Sequence, residues 1–333
     1  MESKINKPLV AVKCLVYNHQ PYLRQCFDGF AMQKTTFPFI VLVHDDASTD
    51  GSALIIKEYT EKYPDIFKPI FEEENQYSKH DGSLDRIVDE ALMKSGAKYV
   101  AECEGDDYWV DSMKLQKQVD LLESYPSCTI SFHRVRFISS NGAKLSNTIP
   151  LQKHLRCKKV VSLEDYMNEE FFNGHWTFHT SSFLYRRAMI LKRQEYFRTV
   201  LKNFPYGDMP MLLSCLLEGN GILCQDEMSC YRTLSGGYNS KLKANPDLAI
   251  KHCYMLIQAF RDFDKYTGHK YSKQISRHIL RNQLRILDLG HKGFSWFRLY
   301  PKFWPLLRLS IFKVWMKELM PNFYSYLKIN LRK

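Results

Sequence analysis

The chain has 333 residues, of which 45% are hydrophobic and 25% charged, a composition typical of a folded globular protein. The formal net charge is +11, but residues 269–333 hold 14 Lys and Arg against two acidic side chains, so the residues before them carry a net charge of −1. Because the positive charge is concentrated at one end, we exclude a basic nucleic-acid groove through the body of the protein.

Apolar runs alternate with helical spacing along the first 125 residues. The pattern predicts strands at residues 8–16, 37–44, 67–71 and 97–103, and helices at residues 22–33, 52–63, 84–95 and 112–124. Strands that alternate with helices are typical of a parallel, doubly wound sheet with helices on both faces. The sequence therefore predicts an α/β fold.

The pattern changes after residue 127. Residues 128–139 predict another strand, residues 162–168 a short helix, and residues 171–187 an aromatic-rich strand. Further helices are predicted from Asp208 to residue 217 and at residues 246–266 and 271–289.

Polar clusters follow three of the predicted strands, at residues 17–21, 45–51 and 104–107. In a parallel sheet, ligands bind beyond the carboxyl ends of the strands. We therefore expect these three loops to meet at one edge of the sheet and to form one site.

The stretch AECEGDDYWVD, residues 101–111, is called the acidic turn here. Its four carboxylates, Glu102, Glu104, Asp106 and Asp107, lie so close that a cation or full solvation must offset their charge. Mg²⁺ and Mn²⁺ prefer such oxygen ligands and often bind one or two carboxylates together with substrate phosphates. The alternative is a solvated acidic loop that precedes a helix.

Localisation is predicted from what the sequence lacks. The first ten residues have no apolar signal-peptide core, and no uncharged apolar run reaches the ~18 residues of a membrane span. The sequence thus predicts a cytoplasmic protein. Nine cysteines without a CxxC pair predict reduced, mostly buried thiols rather than a disulfide framework or a zinc site.

Four motifs in order resemble the inverting family 2 glycosyltransferases. They are YN after the first strand, DDASTDG after the second, EGDDYW before KLQKQVDLLE, and GDMPMLLSCLL with YRTLSGG downstream. The resemblance covers roughly residues 8–240 and implies the GT-A fold, a nucleotide-diphospho-sugar transferase fold. It predicts a catalytic domain at 1–240, with a nucleotide-binding half at 1–125 and an acceptor half at 126–240, and a helical, basic C-terminal extension at 241–333.

The resemblance assigns the nucleotide to the first two loops. Asp46 would accept a hydrogen bond from the imide N–H of a uracil-type base. Leu15, Tyr17 and Asn18 would form the wall of the nucleotide site.

The same resemblance divides the acidic turn between two tasks. Asp106 would lie near the ribose and the donor sugar, and Asp107 would hold Mg²⁺ or Mn²⁺, which stabilises the leaving diphosphate as a Lewis acid. Glu104 would support the metal-binding residues without touching the metal, or would contact the sugar.

Asp208 is the predicted catalytic base. An inverting transfer needs a carboxylate that takes the acceptor hydroxyl proton, away from the metal. In the family an acidic residue begins a helix at this point. Asp208 is also well placed to cap that helix before Pro210, and the two roles are compatible.

One position departs from the family pattern. Leu234 occurs in YRTLSGG where relatives commonly have a His that helps to bind metal or diphosphate. Leucine cannot ligate a metal, so ion binding would rest on Asp107, phosphates and water. Arg232 or Lys241 would assist with charge, although a structural role for Arg232 is an equal alternative. A weak or inactive enzyme also stays open.

Three residues of the aromatic stretch, His175, Trp176 and His179, lie where relatives shape the acceptor and donor-sugar pocket. Aromatic faces suit sugar rings. The alternative is that this stretch simply belongs to the core.

Residues 294–333 alternate large apolar or aromatic side chains with a basic residue every four to six positions. Such a tail suits an anionic membrane surface, which attracts basic residues by about 1 kcal/mol each. The sequence thus predicts peripheral association with the inner face of the cytoplasmic membrane. The alternative is a C-terminal helix that packs on the domain.

The predicted function is inverting transfer of a sugar from a nucleotide-diphospho-sugar, in particular a UDP-sugar, to a hydroxyl of a lipid-linked or polysaccharide acceptor, in surface polysaccharide biosynthesis. One alternative is a nucleotidyltransferase of similar fold, which residues 15–21 disfavour because they contain no Gly, Lys or Arg. Another is a catalytically weak nucleotide-sugar-binding protein or a membrane adaptor.

Overall fold

The computed structural model describes residues 7–150, 158–205 and 207–289. Its strands are β1 (Val10–Val16), β2 (Phe39–Asp45), β3 (Phe67–Phe71), β4 (Tyr99–Glu102), β5 (Tyr108–Trp109), β6 (Cys128–Ser139), β7 (Lys144–Ile149), β8 (Val160–Val161), β9 (Leu184–Arg186) and β10 (Asn220–Thr233). Its α-helices are α1 (Gln20–Ala31), α2 (Ser52–Lys62), α3 (Ser83–Lys94), α4 (Lys114–Ser124), α5 (Leu163–Tyr166), α6 (Met189–Arg198), α7 (Asp208–Glu218), α8 (Tyr238–Ala244), α9 (Pro246–Tyr266) and α10 (Ser272–Leu289).

The ten described strands form one sheet in the order β3-β2-β1-β4-β9-β6-β10-β5, with β7 beside β6 and β8 beside β10. Strands β1 to β4 are parallel where they pair, and so are β6 and β10. The short β9 runs antiparallel between β4 and β6 and joins the two halves. The predicted α/β fold, with a mostly parallel sheet flanked by helices, is confirmed.

Helices cover both faces of the sheet, and β1 accordingly contributes buried apolar side chains to both faces. Ala11 on one face belongs to a buried cluster that includes residues of α3, α7, α9 and α10. Val12 and Cys14 on the other face belong to a second cluster with residues of α1, α2 and α4. A strand buried on both faces reads as a continuous apolar run, which explains why residues 8–16 predicted it.

Three cysteines lie together beneath the acidic turn. Cys14, Cys26 and Cys103 are at most 1% exposed. The Cys26 thiol donates to the backbone oxygen of Glu104 (3.5 Å), and the Cys103 thiol lies 3.7 Å from the same oxygen. All eight cysteines in the described part of the chain are free thiols, and only Cys224 among them is not buried.

The aromatic stretch at residues 171–187 is not one strand, and this expectation was wrong. It continues the π-helix Met167–Asn173, passes through a short 3₁₀-helix at Thr180–Ser182 and forms a strand only at Leu184–Arg186. Gly174, with a φ of 76°, ends the π-helix in the left-handed region that glycine adopts at little cost. The stretch is therefore bent, and only its last part lies in the sheet.

Helices α9 and α10, in the predicted C-terminal extension, pack on the elements that precede them. Phe260 of α9 and Ile275 of α10 belong to the same buried cluster as Phe171 and Met211. Among the residues that the structure describes, no helix is both long enough and apolar enough to cross a bilayer. The predicted membrane-surface tail, residues 294–333, lies outside the described residues.

Candidate active site

The first two polar loops are joined by hydrogen bonds at the carboxyl edge of the sheet. The side-chain oxygen of Asn18 accepts from the backbone N–H of Thr49 (2.8 Å) and of Asp50 (3.3 Å), and the N–H of Asn18 donates to Oγ of Ser48 (2.9 Å). Asn18 itself has a φ of 55°, a conformation that Asn tolerates better than most residues. The predicted nucleotide residue Asn18 thus holds the two loops together.

Asp46 fixes a third segment to these loops. Its carboxylate accepts hydrogen bonds from the backbone N–H groups of Gln76 (2.6 Å) and Tyr77 (3.1 Å). The remaining lone pairs of each oxygen stay available to a base. The neighbouring Tyr17 is 47% exposed at the same edge, and Leu15 is partly buried against the core.

Asp107 lies at the centre of the acidic turn and is 2% exposed. Its Oδ1 accepts from the backbone N–H of Arg232 (2.8 Å), while no described hydrogen-bond donor reaches Oδ2. The nearest described basic nitrogen to Oδ2 is Nδ1 of His179, at 3.8 Å. Burial and then the charge of Asp106 raise the pKa of Asp107, as expected for a carboxylate that lacks a counter-ion.

The guanidinium of Arg232 ties β10 to the acidic turn. It donates to the backbone oxygens of Asp106 (3.0 Å) and Ser140 (3.2 Å) and to Oε1 of Gln25 (2.7 Å). The guanidinium carbon Cζ also lies 4.6 Å from the ring centre of Tyr22. These contacts favour the structural alternative for Arg232 over a role in the sugar pocket.

Two carboxylates from other elements join the acidic turn electrostatically. Asp208 begins α7, and its Oδ1 accepts from the N–H of Met209 (2.7 Å), which agrees with the expected helix-terminal position. Burial and then the charge of Glu102 raise the pKa of Asp208. Burial raises the pKa of Glu104 to about 8, and the charges of Asp106 and Asp208 act in the same direction, so the charge of Asp208 acts on the acidic turn.

Glu170 is the second of these carboxylates. Its Oε2 accepts from the N–H of Thr177 (2.8 Å). Burial raises its pKa to about 7, and the charge of Asp208 contributes in the same direction. The π-helix Met167–Asn173 therefore supplies an additional acid whose pKa responds to the charge of the predicted base.

Lys13 lies under this acidic cleft. It pairs with Glu102 in the register of β1 and β4, with Nζ 3.6 Å from Oε2 of Glu102. Tyr185 donates to Oε1 of the same carboxylate (2.7 Å). A lysine within the apolar run VAVKCLV was the signal in the sequence, since a charge in a buried strand needs a partner.

An aromatic group lies close to the acidic turn, which His179 approaches at Asp107. Trp176, 39% exposed, stands edge-on to Phe137 (5.5 Å between ring centres) and to Tyr231 (5.6 Å). His179 lies 4.3 Å from Tyr231. His175 precedes this group and donates its backbone N–H to the oxygen of Glu169 (3.0 Å).

The residues of the turn fit a divalent cation that also binds a substrate. Within the described ranges no three His, Cys, Asp or Glu side chains form a complete metal site. Asp107 nevertheless presents a free Oδ2 whose partner oxygen is held in place. One carboxylate with phosphate oxygens and water is the arrangement usual for Mg²⁺.

Sequence comparison identifies relatives over the first half of the chain. The family model described as "Glycosyl transferase family 2" matches residues 14–194. "Uncharacterized protein Rv1520" of Mycobacterium tuberculosis (strain ATCC 25618 / H37Rv) is 38% identical over 178 residues, which are 54% of this chain and 47% of that protein. The chain thus spans about half the length of the curated relatives that it matches.

Solved structures share the fold over most of the chain. TarS 1-349 of S. aureus, in complex with UDP-GlcNAc, is 16% identical with a TM-score of 0.56 and covers 93% of this chain and 79% of its own. The mannosyltransferase PcManGT from Pyrobaculum calidifontis, in complex with GDP-Man and Mn²⁺, is 15% identical with a TM-score of 0.53 and covers 96% and 83%. At these identities the likeness concerns the fold.

Proposed function

The chain belongs to glycosyl transferase family 2, and on this basis we propose that it transfers a sugar, with inversion, from a UDP-sugar to a hydroxyl of a saccharide or lipid-linked acceptor. One observation carries the proposal. Asp107 is buried in the acidic turn with one carboxylate oxygen held by the N–H of Arg232 and no described donor on the other, and the charge of Asp208 acts on Glu104 of the same turn.

The donor would lie across the joined loops, with its base at Asp46 and its diphosphate at the acidic turn. Asp106 would lie near the ribose and sugar, with Tyr17 over the nucleotide. The fold relative TarS binds UDP-GlcNAc and PcManGT binds GDP-Man, so the fold accommodates either base. The carboxylate at residue 46 favours uridine, whose imide N–H can donate to it.

Asp107 would hold Mg²⁺ or Mn²⁺ through Oδ2. When bound, the ion supplies positive charge that offsets the charge on the departing diphosphate. Oδ1, held by the N–H of Arg232, keeps the carboxylate from rotating. Raised pKa values in the turn fit this role, since an added cation stabilises the ionised carboxylates.

Asp208 would act as the base on the acceptor side. As the acceptor hydroxyl oxygen bonds to the anomeric carbon, its proton passes to a carboxylate oxygen of Asp208. The bond from that carbon to the phosphate oxygen breaks, and the nucleoside diphosphate leaves with the electron pair. Burial, which raises the pKa of Asp208, makes it a stronger base than an exposed aspartate.

The experiment is transfer or hydrolysis of a panel of nucleotide sugars with Mg²⁺ or Mn²⁺. We expect turnover with at least one UDP-sugar, and Asp208→Asn lowers it by about 10²- to 10⁴-fold while UDP affinity is retained. Asp226→Asn, a half-exposed carboxylate on β10, is the matched control with unchanged turnover. Full turnover in Asp208→Asn would reject Asp208 as the base, and absence of UDP binding would favour an adaptor.

The acceptor and location extend this proposal. Trp176 offers an exposed aromatic face beside the turn, suited to a sugar of a saccharide chain. Helix α10 carries a basic residue at every fourth position, Lys273, Arg277, Arg281 and Arg285, just before the basic tail. This favours a cytoplasmic protein that binds the inner membrane surface and acts in surface polysaccharide biosynthesis. Co-sedimentation with phosphatidylcholine vesicles, with and without phosphatidylglycerol, tests it, and binding only to the anionic vesicles is expected.

A further inference from the structure

His179 is the only described imidazole with a nitrogen within 4 Å of Oδ2 of Asp107. Its side chain is 11% exposed, and its ring is held by Tyr231 at 4.3 Å and by Trp176 at 5.7 Å between centres. A ring packed on two sides in this way has one orientation. His179 therefore faces the diphosphate end of the site in a fixed position.

The hydrogen bonds of His179 determine which ring nitrogen carries the proton. Nδ1 accepts from the backbone N–H of Ser181 (3.2 Å), and the hydroxyl of Ser181 lies 2.9 Å from the same nitrogen. That hydroxyl is also 2.8 Å from the hydroxyl of Ser229, which can donate to it in turn. A backbone N–H can only donate, so Nδ1 is an acceptor and the hydrogen of the neutral ring lies on Nε2.

The contacts at Nδ1 favour the neutral ring with its hydrogen on Nε2. Because Nδ1 carries no hydrogen, it cannot donate to Oδ2 of Asp107, and that oxygen stays free for a cation. No described residue accepts from Nε2, so this N–H is left as a donor in the cleft.

A nitrogen that carries hydrogen has no lone pair for a metal, whereas it is a good donor to a phosphate oxygen. Nε2 belongs to the same ring as Nδ1, which lies 3.8 Å from Oδ2 of Asp107. Leu234, in the segment YRTLSGG, offers no polar group to that diphosphate. An N–H from a different element is available instead.

We propose that the Nε2–H of His179 donates a hydrogen bond to the terminal phosphate of the nucleoside diphosphate and stabilises it as the leaving group. The inference rests on the proposed function. It makes His179 a phosphate-binding residue and not a metal ligand. Ser181 and Ser229 are positioning residues, because they keep the hydrogen on Nε2.

The test compares UDP with UMP, which lacks the terminal phosphate, by calorimetry with the full chain in Mn²⁺. For His179→Phe we expect UDP affinity to fall about 10- to 100-fold, the range of a hydrogen bond to a charged group. UMP affinity should change by less than about threefold. His179→Gln, whose amide N–H can reach the place of Nε2–H, should retain most of the UDP affinity. His269→Phe, at an exposed histidine, is the matched control.

A second measurement separates a phosphate ligand from a metal ligand. Electron paramagnetic resonance of Mn²⁺ without nucleotide should give equal Mn²⁺ affinity for the wild type and His179→Phe. A fall in that affinity, an equal loss of UDP and UMP binding, or unchanged UDP binding would each overturn the inference. A wild type that binds no nucleoside diphosphate at all would overturn the proposed function together with it.

Discussion

Lys114 is a buried cation next to the site. It is 0% exposed, its Nζ donates to Oε1 of Gln118 (2.7 Å), and it lies 4.0 Å from the ring centre of Trp109. No described carboxylate lies within salt-bridge distance of it. Burial lowers the pKa of Lys114 to about 7.

This pKa makes stability depend on pH in a defined direction. In the unfolded chain a lysine keeps its proton up to about pH 10.4. Between about pH 7 and 10 the unfolded state therefore binds more protons at this residue, so Lys114 makes the free energy of unfolding rise with pH, by at most about 1.4 kcal/mol per unit. Lys114→Met should remove this part of the rise.

The measurement is urea unfolding at pH 7 and pH 9 for both proteins. Tyrosines and cysteines titrate in both, so the difference between the two pH slopes isolates Lys114. Equal slopes would show that Lys114 remains protonated inside the fold.

At the scale of elements, Arg232 joins β10, α1 and the acidic turn. Its guanidinium is buried and donates three hydrogen bonds. Arg232→Met should lower the free energy of unfolding by about 2 kcal/mol, because the hydrogen bonds of a buried charged group are lost. It should also weaken Mn²⁺-dependent UDP binding, since the guanidinium holds the backbone of Asp106, next to Asp107.

Arg136→Met is the control for that variant. Arg136 on β6 pairs with Glu227 at 3.3 Å while both side chains are partly exposed, and such pairs contribute about 1 kcal/mol or less. Denaturant unfolding and calorimetry check both proteins. An Arg232→Met protein as stable as Arg136→Met would contradict the role of Arg232 in holding the turn.

Several elements could be predicted with their bounds from the sequence. Strands Phe67–Phe71 and Cys128–Ser139 and helix Pro246–Tyr266 agree with their predicted ranges. The start of the helix was marked by Asn-Pro, and Cys128–Ser139 begins with a continuous buried run. Strand β10 was missed. Its exposed centre, Gln225 and Asp226, interrupts the apolar pattern, and the register with β6 shifts there.

The site could be predicted in part for a related reason. The convergence of the loops at residues 17–21, 45–51 and 104–107 was predicted from strand order alone. Asn18 joins the first two loops, and the N–H of Gly105 donates to the oxygen of Leu15 at the end of the first strand. The approach of His179 to Asp107 depends on the bend at Gly174, and no pattern of local spacing encodes that bend.

At the scale of the whole molecule, α9 and α10 contribute to the buried cluster on one face of the sheet. Phe260 is 0% exposed and packs on Phe171 (4.4 Å), Phe204 (5.1 Å) and His278 (4.6 Å between ring centres). Helix α9 thus packs against the π-helix Met167–Asn173 through the contact of Phe260 with Phe171. A change in α9 should reach the site through this contact.

Phe260→Ala should cost about 3 to 5 kcal/mol and lower the melting temperature of the whole chain in one transition. Tyr254→Ala on the same helix, at a 60% exposed position, should change stability by about 0.5 kcal/mol or less. Thermal unfolding followed by circular dichroism distinguishes the two. Two separate transitions would mean that α9 and α10 unfold independently of the sheet.

The reactivity of the three thiols beneath the acidic turn can report when this part of the protein opens. Cys14, Cys26 and Cys103 are shielded from reagents by the same packing that supports Glu104, whereas Cys224 is partly open on β10. An alkylating probe would thus mark Cys224 in the closed fold and the three inner thiols only when the floor of the cleft opens. Peptide mapping of the alkylated protein would measure the fraction of each of these cysteines that has reacted, and so how often this part of the fold opens.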